Sequence, residues 1–295
     1  MRIILAFLIV ILIWATTPLA IKWSGEGPGF LFGVTLRMTI GMCCLLIVMG
    51  FSRQRLLWCP RARMTYLAVA LQIYGSMLSV YWGAQFIPSG WISVIFGLTP
   101  LITALLAAIW LGERSLSLGK LLSYLMGIAG LVVMFASAIQ LHREAVLGMT
   151  AVLIAAFFQS LSAVWIKRID AKLPALTQVT GGLLLALPVY WLNWWLVDGQ
   201  WPMSISINSL ASIVYLGVIA TTFGFVLYYY LLCHLAATRV ALITLITPVL
   251  SLLLGQSVNH EVLTSRVAVG TFFILCALIL HEFFDRFRLA RHTRR

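Results

Sequence analysis

The chain has 295 residues, of which 62% are hydrophobic and 9% are charged, and its mean hydropathy is +1.03. A soluble domain carries about 25% charged residues, so this composition excludes a soluble fold and predicts a membrane protein in a lipid bilayer. The net charge of +12 could suggest nucleic-acid binding. However, the basic residues lie between apolar runs and no basic, aromatic groove is visible, so no nucleic-acid partner is expected.

Ten apolar runs of about 20 residues follow one another along the sequence. As helices, such runs match the roughly 30 Å hydrocarbon core of a bilayer, which predicts an all-α membrane protein. The first run could be interpreted as a signal peptide, but a proline at the would-be first mature residue favours a retained helix. The predicted spans are residues 3–21, 30–51, 64–83, 91–111, 120–139, 148–166, 174–197, 207–232, 240–258 and 266–284.

The first three predicted spans carry polar and aromatic residues that are candidates for a solute cavity. Trp14 lies in the first span, and Arg37 lies about a third of the way along the second. In the third span Gln72 lies on a narrow polar face, and the span ends with Tyr81 and Trp82. The aromatic side chains either pack in the core or line a cavity that stacks a flat or apolar solute.

Arg37 is the sharpest candidate for a binding residue. An arginine that faces lipid costs at least about 2.5 kcal/mol, so Arg37 is expected to face the bundle interior or a watered cavity. Three interpretations remain open. The side chain snorkels towards the nearer headgroups, about 10 Å away at 1.5 Å per residue, or it contacts the carboxylate of an anionic or zwitterionic solute. In the third interpretation it rests against free helix carbonyls near Pro100 or Pro248.

The fourth predicted span contains a Thr-Pro pair that ends at Pro100, and Glu113 follows thirteen residues later. A proline inside a helix removes one backbone hydrogen bond and kinks the helix. The ninth span repeats this arrangement with Pro248 and Glu261, 148 residues further along the chain. We therefore predict helix kinks at Pro100 and Pro248, and we expect the two glutamates to cap or anchor helix ends.

The sixth, seventh and eighth spans supply the remaining candidates. Gln159 and Trp165 lie in the sixth span, Gln178 in the seventh, and Tyr228 and Tyr229 in the eighth. The glutamines either form interhelical hydrogen bonds as part of the packing or contact the solute. Four further tryptophans are predicted to form an outer interfacial belt, namely Trp191, Trp194, Trp195 and Trp201.

The repeated pattern predicts a duplicated chain, with repeats at residues 3–140 and 147–284 and a basic cytoplasmic tail at 285–295. Because each repeat has five spans, an odd number, the two repeats enter the membrane in opposite directions. If both termini are cytoplasmic, sixteen of the twenty Lys and Arg residues lie inside and three lie outside. This asymmetry follows the positive-inside rule and predicts a multi-pass protein of the cell inner membrane with that orientation.

Several short motifs of the first repeat form a familiar pattern. They are Trp14, Arg37, Gln85-Phe86-Ile87-Pro88-Ser89-Gly90, Leu98-Thr99-Pro100 and Leu111-Gly112-Glu113-Arg114. In these motifs the sequence resembles the drug/metabolite transporter superfamily, in its EamA-type branch of ten-helix permeases. The second repeat departs from the pattern, with Asn259-His260-Glu261 in place of Leu-Gly-Glu and Ala236-Ala237 in place of Pro-Ser. The resemblance implies a fold of inverted repeats and a secondary transporter, often an exporter of amino acids or other metabolites.

Transport is also favoured on physical grounds, because inverted repeats allow a bundle to expose a midplane site to each side in turn. The alternative is a non-transporting membrane scaffold, which has no need for an arginine and three glutamines inside the bundle. No enzyme, cofactor or metal site is expected, since no His/Cys cluster has ligand spacing and no glycine-rich phosphate loop follows a strand. The five cysteines imply no disulfide framework.

Overall fold

The computed structural model describes residues 2–112 and 118–292, and their side chains except those of residues 118–120, 141 and 282–292. This part of the chain contains ten long helices and no strand. The helices are α1 (Arg2–Gly25), α2 (Phe30–Phe51), α3 (Pro60–Gly83), α4 (Ser89–Trp110), α5 (Leu118–Leu141), α6 (Arg143–Ile169), α7 (Ala175–Val197), α8 (Ile207–His234), α9 (Ala237–Asn259) and α10 (Ser265–His292). Within the described residues, the first nine contain stretches long and apolar enough to cross a membrane, and α10 begins with the shorter apolar stretch Ser265–His281.

The predicted all-α membrane fold is confirmed, and each predicted span lies on one helix. The differences are at the ends, where helices continue past their apolar runs. Helix α6 begins at Arg143 because the His142 side chain caps it, accepting a hydrogen bond from the Ala145 amide at 3.2 Å. It ends at Ile169, and Asp170 follows in the left-handed conformation at φ 46°. Helix α10 likewise continues to His292, into the predicted basic tail.

The two halves of the bundle pack across each other in a symmetrical way. Helix α3 contacts α6 and α7 of the second half, and α8 contacts α1 and α2 of the first half. Helix α4 packs on α6 just as α9 packs on α1, and the equivalent helices meet in the pairs α2–α7, α4–α9 and α5–α10. These contacts are matched when each helix is exchanged for the one five positions along, which is the pattern expected of two inverted five-helix repeats.

Helices α3 and α8 each contain a π-helical segment at corresponding positions, Leu71–Ser76 and Leu216–Gly224. The sequence shows no sign of them, since a π-helix has no composition of its own and is rare, though frequent at functional sites. In α3 the Tyr190 hydroxyl donates to the Ile73 carbonyl at 2.6 Å and to the Tyr74 carbonyl at 3.4 Å. Tyr190 of α7 thus donates to backbone carbonyls in a segment whose regular α-helical hydrogen bonds are interrupted.

Glycines allow α2 and α8 to approach closely where both helices border the centre of the bundle. A Cβ added to Gly41 would lie 2.5 Å from Thr221 Cγ2, and one added to Gly217 would lie 2.7 Å from Ile40 Cγ2. The same contact recurs between α7 and α3, where a Cβ at Gly182 would overlap Val69. Small residues at such crossings are the usual way for membrane helices to pack, and here they bring α8 against Arg37 on α2.

The two helices with predicted kinks, α4 and α9, are interrupted, but not at the prolines. Helix α4 is divided at residues 97–98 into Ser89–Phe96 and Thr99–Trp110, so that Pro100 lies in the first turn of the second part. Helix α9 is divided at Leu242, and Pro248 lies inside the second part. The interruptions therefore lie two to three residues before Pro100 and six residues before Pro248, on the N-terminal side, where a proline disturbs the helical hydrogen bonds.

Candidate functional site

A cavity with about 560 Å³ of atom-free space lies at the centre of the bundle. Its wall is formed by residues of α1, α2, α3, α4, α6, α8 and α9, many of them near the middle of their helix. The wall is largely apolar, and no acidic side chain belongs to it among the described residues.

Arg37 is the charged residue of this wall, and it is only 1% exposed. Its Nε donates to Thr221 Oγ1 at 2.9 Å and its Nη1 to the Tyr81 hydroxyl at 3.5 Å, with Cζ 5.8 Å from the centre of the Tyr81 ring. Two of the five guanidinium N–H groups are thus used. In the described part of the chain no carboxylate lies within 4 Å of Arg37, so its charge is not neutralised.

This geometry decides between the structural interpretations of Arg37. The side chain does not snorkel, because it is buried against α8 instead of reaching towards headgroups. Its partners are the hydroxyls of Thr221 and Tyr81, so the expectation that it rests against helix carbonyls near Pro100 or Pro248 is wrong. The glycine contact between α2 and α8 explains the difference, since it places a threonine beside the guanidinium.

Gln72 lies in the π-helical segment of α3, lines the cavity and is 1% exposed. Its Oε1 accepts a hydrogen bond from the Tyr229 hydroxyl, whereas its Nε2 is buried without a hydrogen-bond partner. An unpaired buried amide N–H is costly. Gln72 therefore brings an unpaired amide donor to the edge of the cavity.

Trp14 of α1 and Gln159 of α6 both line the cavity. The ring centre of Trp14 lies 5.1 Å from that of Tyr228, and Tyr228 lies 5.2 Å from Tyr229. Both tyrosines are at least 96% buried. They form an aromatic layer behind the wall, which connects Trp14 with the hydrogen bond of Tyr229 to Gln72.

Three predicted site residues lie away from the cavity. Trp82 is 37% exposed and packs on Phe86, with ring centres 5.0 Å apart. Trp165 is half-buried against the hydrophobic core. The Gln178 Nε2 donates to the Leu173 carbonyl at 2.8 Å and to Cys233 Sγ at 3.2 Å, so this glutamine holds the packing of α7. The sequence predicts how deep each of these residues lies in the membrane, but which side of a helix faces the cavity depends on tertiary packing.

The predicted tryptophan belt is only partly interfacial. Trp195 and Trp201 are each 67% exposed, as a belt requires. Trp194 is 5% exposed, because it is covered by Phe32 and Trp201 at ring distances of 6.0 and 5.3 Å. A two-ring side chain at a helix end is thus used for packing as well as for anchoring.

Glu261 joins three cavity-lining helices at one face of the bundle. Its Oε1 accepts hydrogen bonds from the Ser89 amide and the Asn259 side chain, each at 2.9 Å, and its Oε2 accepts one from Ser89 Oγ at 3.0 Å. Lys22 Nζ lies 3.7 Å from the same carboxylate and donates to the Ile87 carbonyl at 3.3 Å. The prediction that Glu261 caps or anchors a helix end is confirmed, and the capped helix is α4. Glu113 lies outside the described residues.

Sequence comparisons match both halves of the chain to one family. The profile of the EamA-like transporter family matches residues 1–136 and again residues 146–281. An uncharacterized transporter YoaV of Bacillus subtilis is 24% identical, over 96% of this chain and 97% of its own length. A probable terminal-alkyne amino-acid exporter of Streptantibioticus cattleyicolor is 28% identical, over 83% and 81%. A probable amino-acid metabolite efflux pump of Escherichia coli is 26% identical, over 69% and 70%.

A solved crystal structure has the same fold. It matches with a TM-score of 0.69 at 23% sequence identity, over 97% of this chain and 99% of its own. The double profile match, the ten-helix bundle with its symmetrical contacts and the central cavity all agree. The chain belongs to the EamA-like transporter family.

Proposed function

We propose that the protein is a secondary transporter that exports apolar amino acids, such as phenylalanine, across the cell inner membrane by alternating access. The observation that carries this proposal is Arg37, a buried cation without an acidic partner among the described residues, in the wall of a largely apolar cavity. A buried charge without a counter-ion is costly, and the carboxylate of a solute would offset that cost.

The surroundings of Arg37 fit a carboxylate better than a larger anion. Three guanidinium N–H groups remain free for the two-point contact that carboxylates make with arginine. Gln72 Nε2 offers a further donor. The apolar part of the wall, with Trp14, Phe96 and Phe225, suits an apolar or aromatic side chain. A phosphate or dicarboxylate would bring a second negative charge, and the described residues of this wall include no second cation for it.

The direction and orientation are supported by different observations. Two relatives are named as an exporter and an efflux pump of amino acids or their metabolites. The distribution of Lys and Arg favours cytoplasmic termini, with sixteen of twenty on that side. Membership of a transporter family leaves the alternative of a non-transporting scaffold without support.

Counterflow in proteoliposomes tests the proposal without assuming an energy source. Vesicles loaded with unlabelled phenylalanine should accumulate radiolabelled phenylalanine when they contain the wild-type protein. Arg37→Met should insert normally but exchange only at background, because an apolar residue cannot hold the carboxylate. Arg37→Lys keeps the charge but loses the planar fork, so its apparent affinity should be about tenfold weaker.

Arg55→Met is the matched control, since Arg55 is an exposed loop arginine outside the cavity and its loss should leave exchange unchanged. Exchange near the wild-type rate by Arg37→Met would remove Arg37 from the binding site. The absence of phenylalanine exchange by the wild-type protein would contradict the proposed function itself.

A further inference from the structure

Three prolines lie in helices that line the cavity. Pro18 and Pro248 lie inside a continuous helical segment, and Pro100 lies in the first turn after the interruption of α4. Because proline has no N–H, the carbonyl four residues earlier loses its helical donor. For Pro18, Pro100 and Pro248 these carbonyls belong to Trp14, Phe96 and Thr244. The cavity wall includes all three of these residues.

Pro188 in α7 provides a comparison within the same protein. It lies inside a helix as well, but the carbonyl that it frees belongs to Leu184, which does not line the cavity. No side-chain hydrogen bond of the described residues ends on the carbonyls of Trp14, Phe96 or Thr244. None of the surrounding side chains that the structure describes therefore donates a hydrogen bond to these three carbonyls.

Arg37 on α2 and Gln72 on α3, two neighbouring helices, have guanidinium and amide N–H groups without a partner among the described residues. The freed carbonyls lie on α1, α4 and α9, which all contact one another. A cation in this cavity meets no acidic side chain among the described residues, so neutral oxygens must receive it, either the freed backbone carbonyls or side-chain oxygens such as that of Gln159.

We infer that the carbonyls of Trp14, Phe96 and Thr244 form a subsite for the ammonium group of the solute, separate from the carboxylate subsite at Arg37. An ammonium group has three N–H donors, which matches three carbonyl acceptors. This inference rests on the proposed function, because it divides the same cavity between the two charged groups of one zwitterion. It makes the prolines determinants of specificity for the amino group.

The position of this subsite suits a transporter with inverted repeats. Phe96 and Thr244 are equivalent residues, 148 positions apart. They lie on α4 and α9, which are equivalent helices of the two repeats and contact each other. A group bound between them lies close to the pseudo-two-fold axis. When the repeats exchange conformations, such a position moves least, so the ammonium group keeps its acceptors while access changes sides.

Three related probes distinguish the two subsites, namely L-phenylalanine, 3-phenylpropanoate, which lacks the ammonium group, and 2-phenylethylamine, which lacks the carboxylate. Their binding to the full-length protein in lipid nanodiscs is measured by isothermal titration calorimetry. Each analogue should bind the wild-type protein at least about tenfold more weakly than phenylalanine, since each loses charge-assisted hydrogen bonds.

Variants should then affect the probes in opposite ways. Pro100→Ala or Pro248→Ala restores an N–H that pairs with the freed carbonyl. Each should weaken phenylalanine and 2-phenylethylamine about tenfold and change 3-phenylpropanoate less than twofold. Arg37→Met should weaken phenylalanine and 3-phenylpropanoate but not 2-phenylethylamine. Pro188→Ala is the matched control and should alter none of the three affinities.

Equal binding of phenylalanine and 3-phenylpropanoate by the wild-type protein would overturn the ammonium subsite and leave the proposed function in place. Equal weakening of all three probes by the Pro→Ala variants would also overturn it, because the prolines would then only shape the cavity. If the wild-type protein bound no phenylalanine, the proposed function would fail and the inference with it. Because the three probes are compared on the wild-type protein, this part of the test does not depend on whether a variant folds.

Discussion

Arg37 is positioned by a residue that is distant in the sequence. Thr221, which accepts its Nε–H, lies 184 residues further along the chain and reaches it through the close contact of α2 and α8. A hydrogen bond to a charged group contributes about 1.5–3 kcal/mol. The threonine hydroxyl therefore fixes the guanidinium and leaves its other N–H groups available to the cavity.

Thr221→Val tests this role, because valine has nearly the same shape without the hydroxyl. The buried Nε–H would then lack a partner, and the free energy of unfolding should fall by about 1–3 kcal/mol. The measurement is equilibrium denaturation of the purified protein in mixed micelles. Thr150→Val is the control, since the Thr150 hydroxyl is bonded only to the Val146 carbonyl of its own helix at an exposed position. Equal stability of the two variants would contradict the positioning role.

The burial of Arg37 could be predicted from sequence, because the cost of a charge in lipid depends on one residue and its depth. Its partner could not, since Thr221 is one of many threonines in apolar runs. Gln72 and Gln178 make the same point. Both are buried amides in spans, but one lines the cavity and the other bonds to Leu173. Only the packing of whole helices distinguishes them.

At the scale of the element, α3 and α8 are each disturbed by a π-helical segment where they pass the cavity. The Thr-Pro pairs in α4 and α9 predicted irregular helices, because a proline removes a backbone hydrogen bond of the helix. The π-helical segments had no such signal. In α3, Gln72 lies within the segment, so the irregular backbone contributes to where its side chain lies. Tyr190 of α7 stabilises this segment from outside.

Tyr190→Phe should destabilise the protein, because the hydroxyl that serves the Ile73 and Tyr74 carbonyls is lost without any change of shape. We expect a loss of about 1–3 kcal/mol, the cost of an unsatisfied buried acceptor. Unfolding in mixed micelles measures it. Tyr230→Phe serves for comparison, since Tyr230 is half-buried and its hydroxyl makes no hydrogen bond to the described residues, so it should change stability by less than about 0.5 kcal/mol.

At the scale of the whole molecule, the two repeats are interlocked. The number of helices and their alternating direction followed from counting apolar runs and basic residues, since both are properties of local sequence. The contacts of α3 with α6 and α7, and of α8 with α1 and α2, were not visible in the sequence. They depend on the shapes of helix surfaces, which short polar or aromatic motifs do not specify.

The proposed orientation predicts which loops a reagent can reach. In a full-length variant with the five native cysteines replaced by alanine, a cysteine at Glu144 should react with an impermeant maleimide on intact cells. A cysteine at Ser52 should react only after permeabilisation, because Arg53 and Arg55 of its loop and two further arginines in the first turn of α3 are expected to hold this end in the cytoplasm. Both positions are exposed. The reverse pattern of labelling would invert the proposed topology.

The interlocking also has a consequence for biosynthesis. Arg37 and Gln72 enter the membrane with the first repeat, but their partners Thr221 and Tyr229 are synthesised 184 and 157 residues later. At about 5–20 residues per second, this delay is roughly 8 to 37 seconds. During that time Arg37 has only Tyr81 from its own repeat, in an environment where an unpaired arginine costs at least about 2.5 kcal/mol. We therefore expect the half-made protein to be recognised by membrane quality control until α8 is inserted, and we expect slower translation of the second repeat to lower its yield.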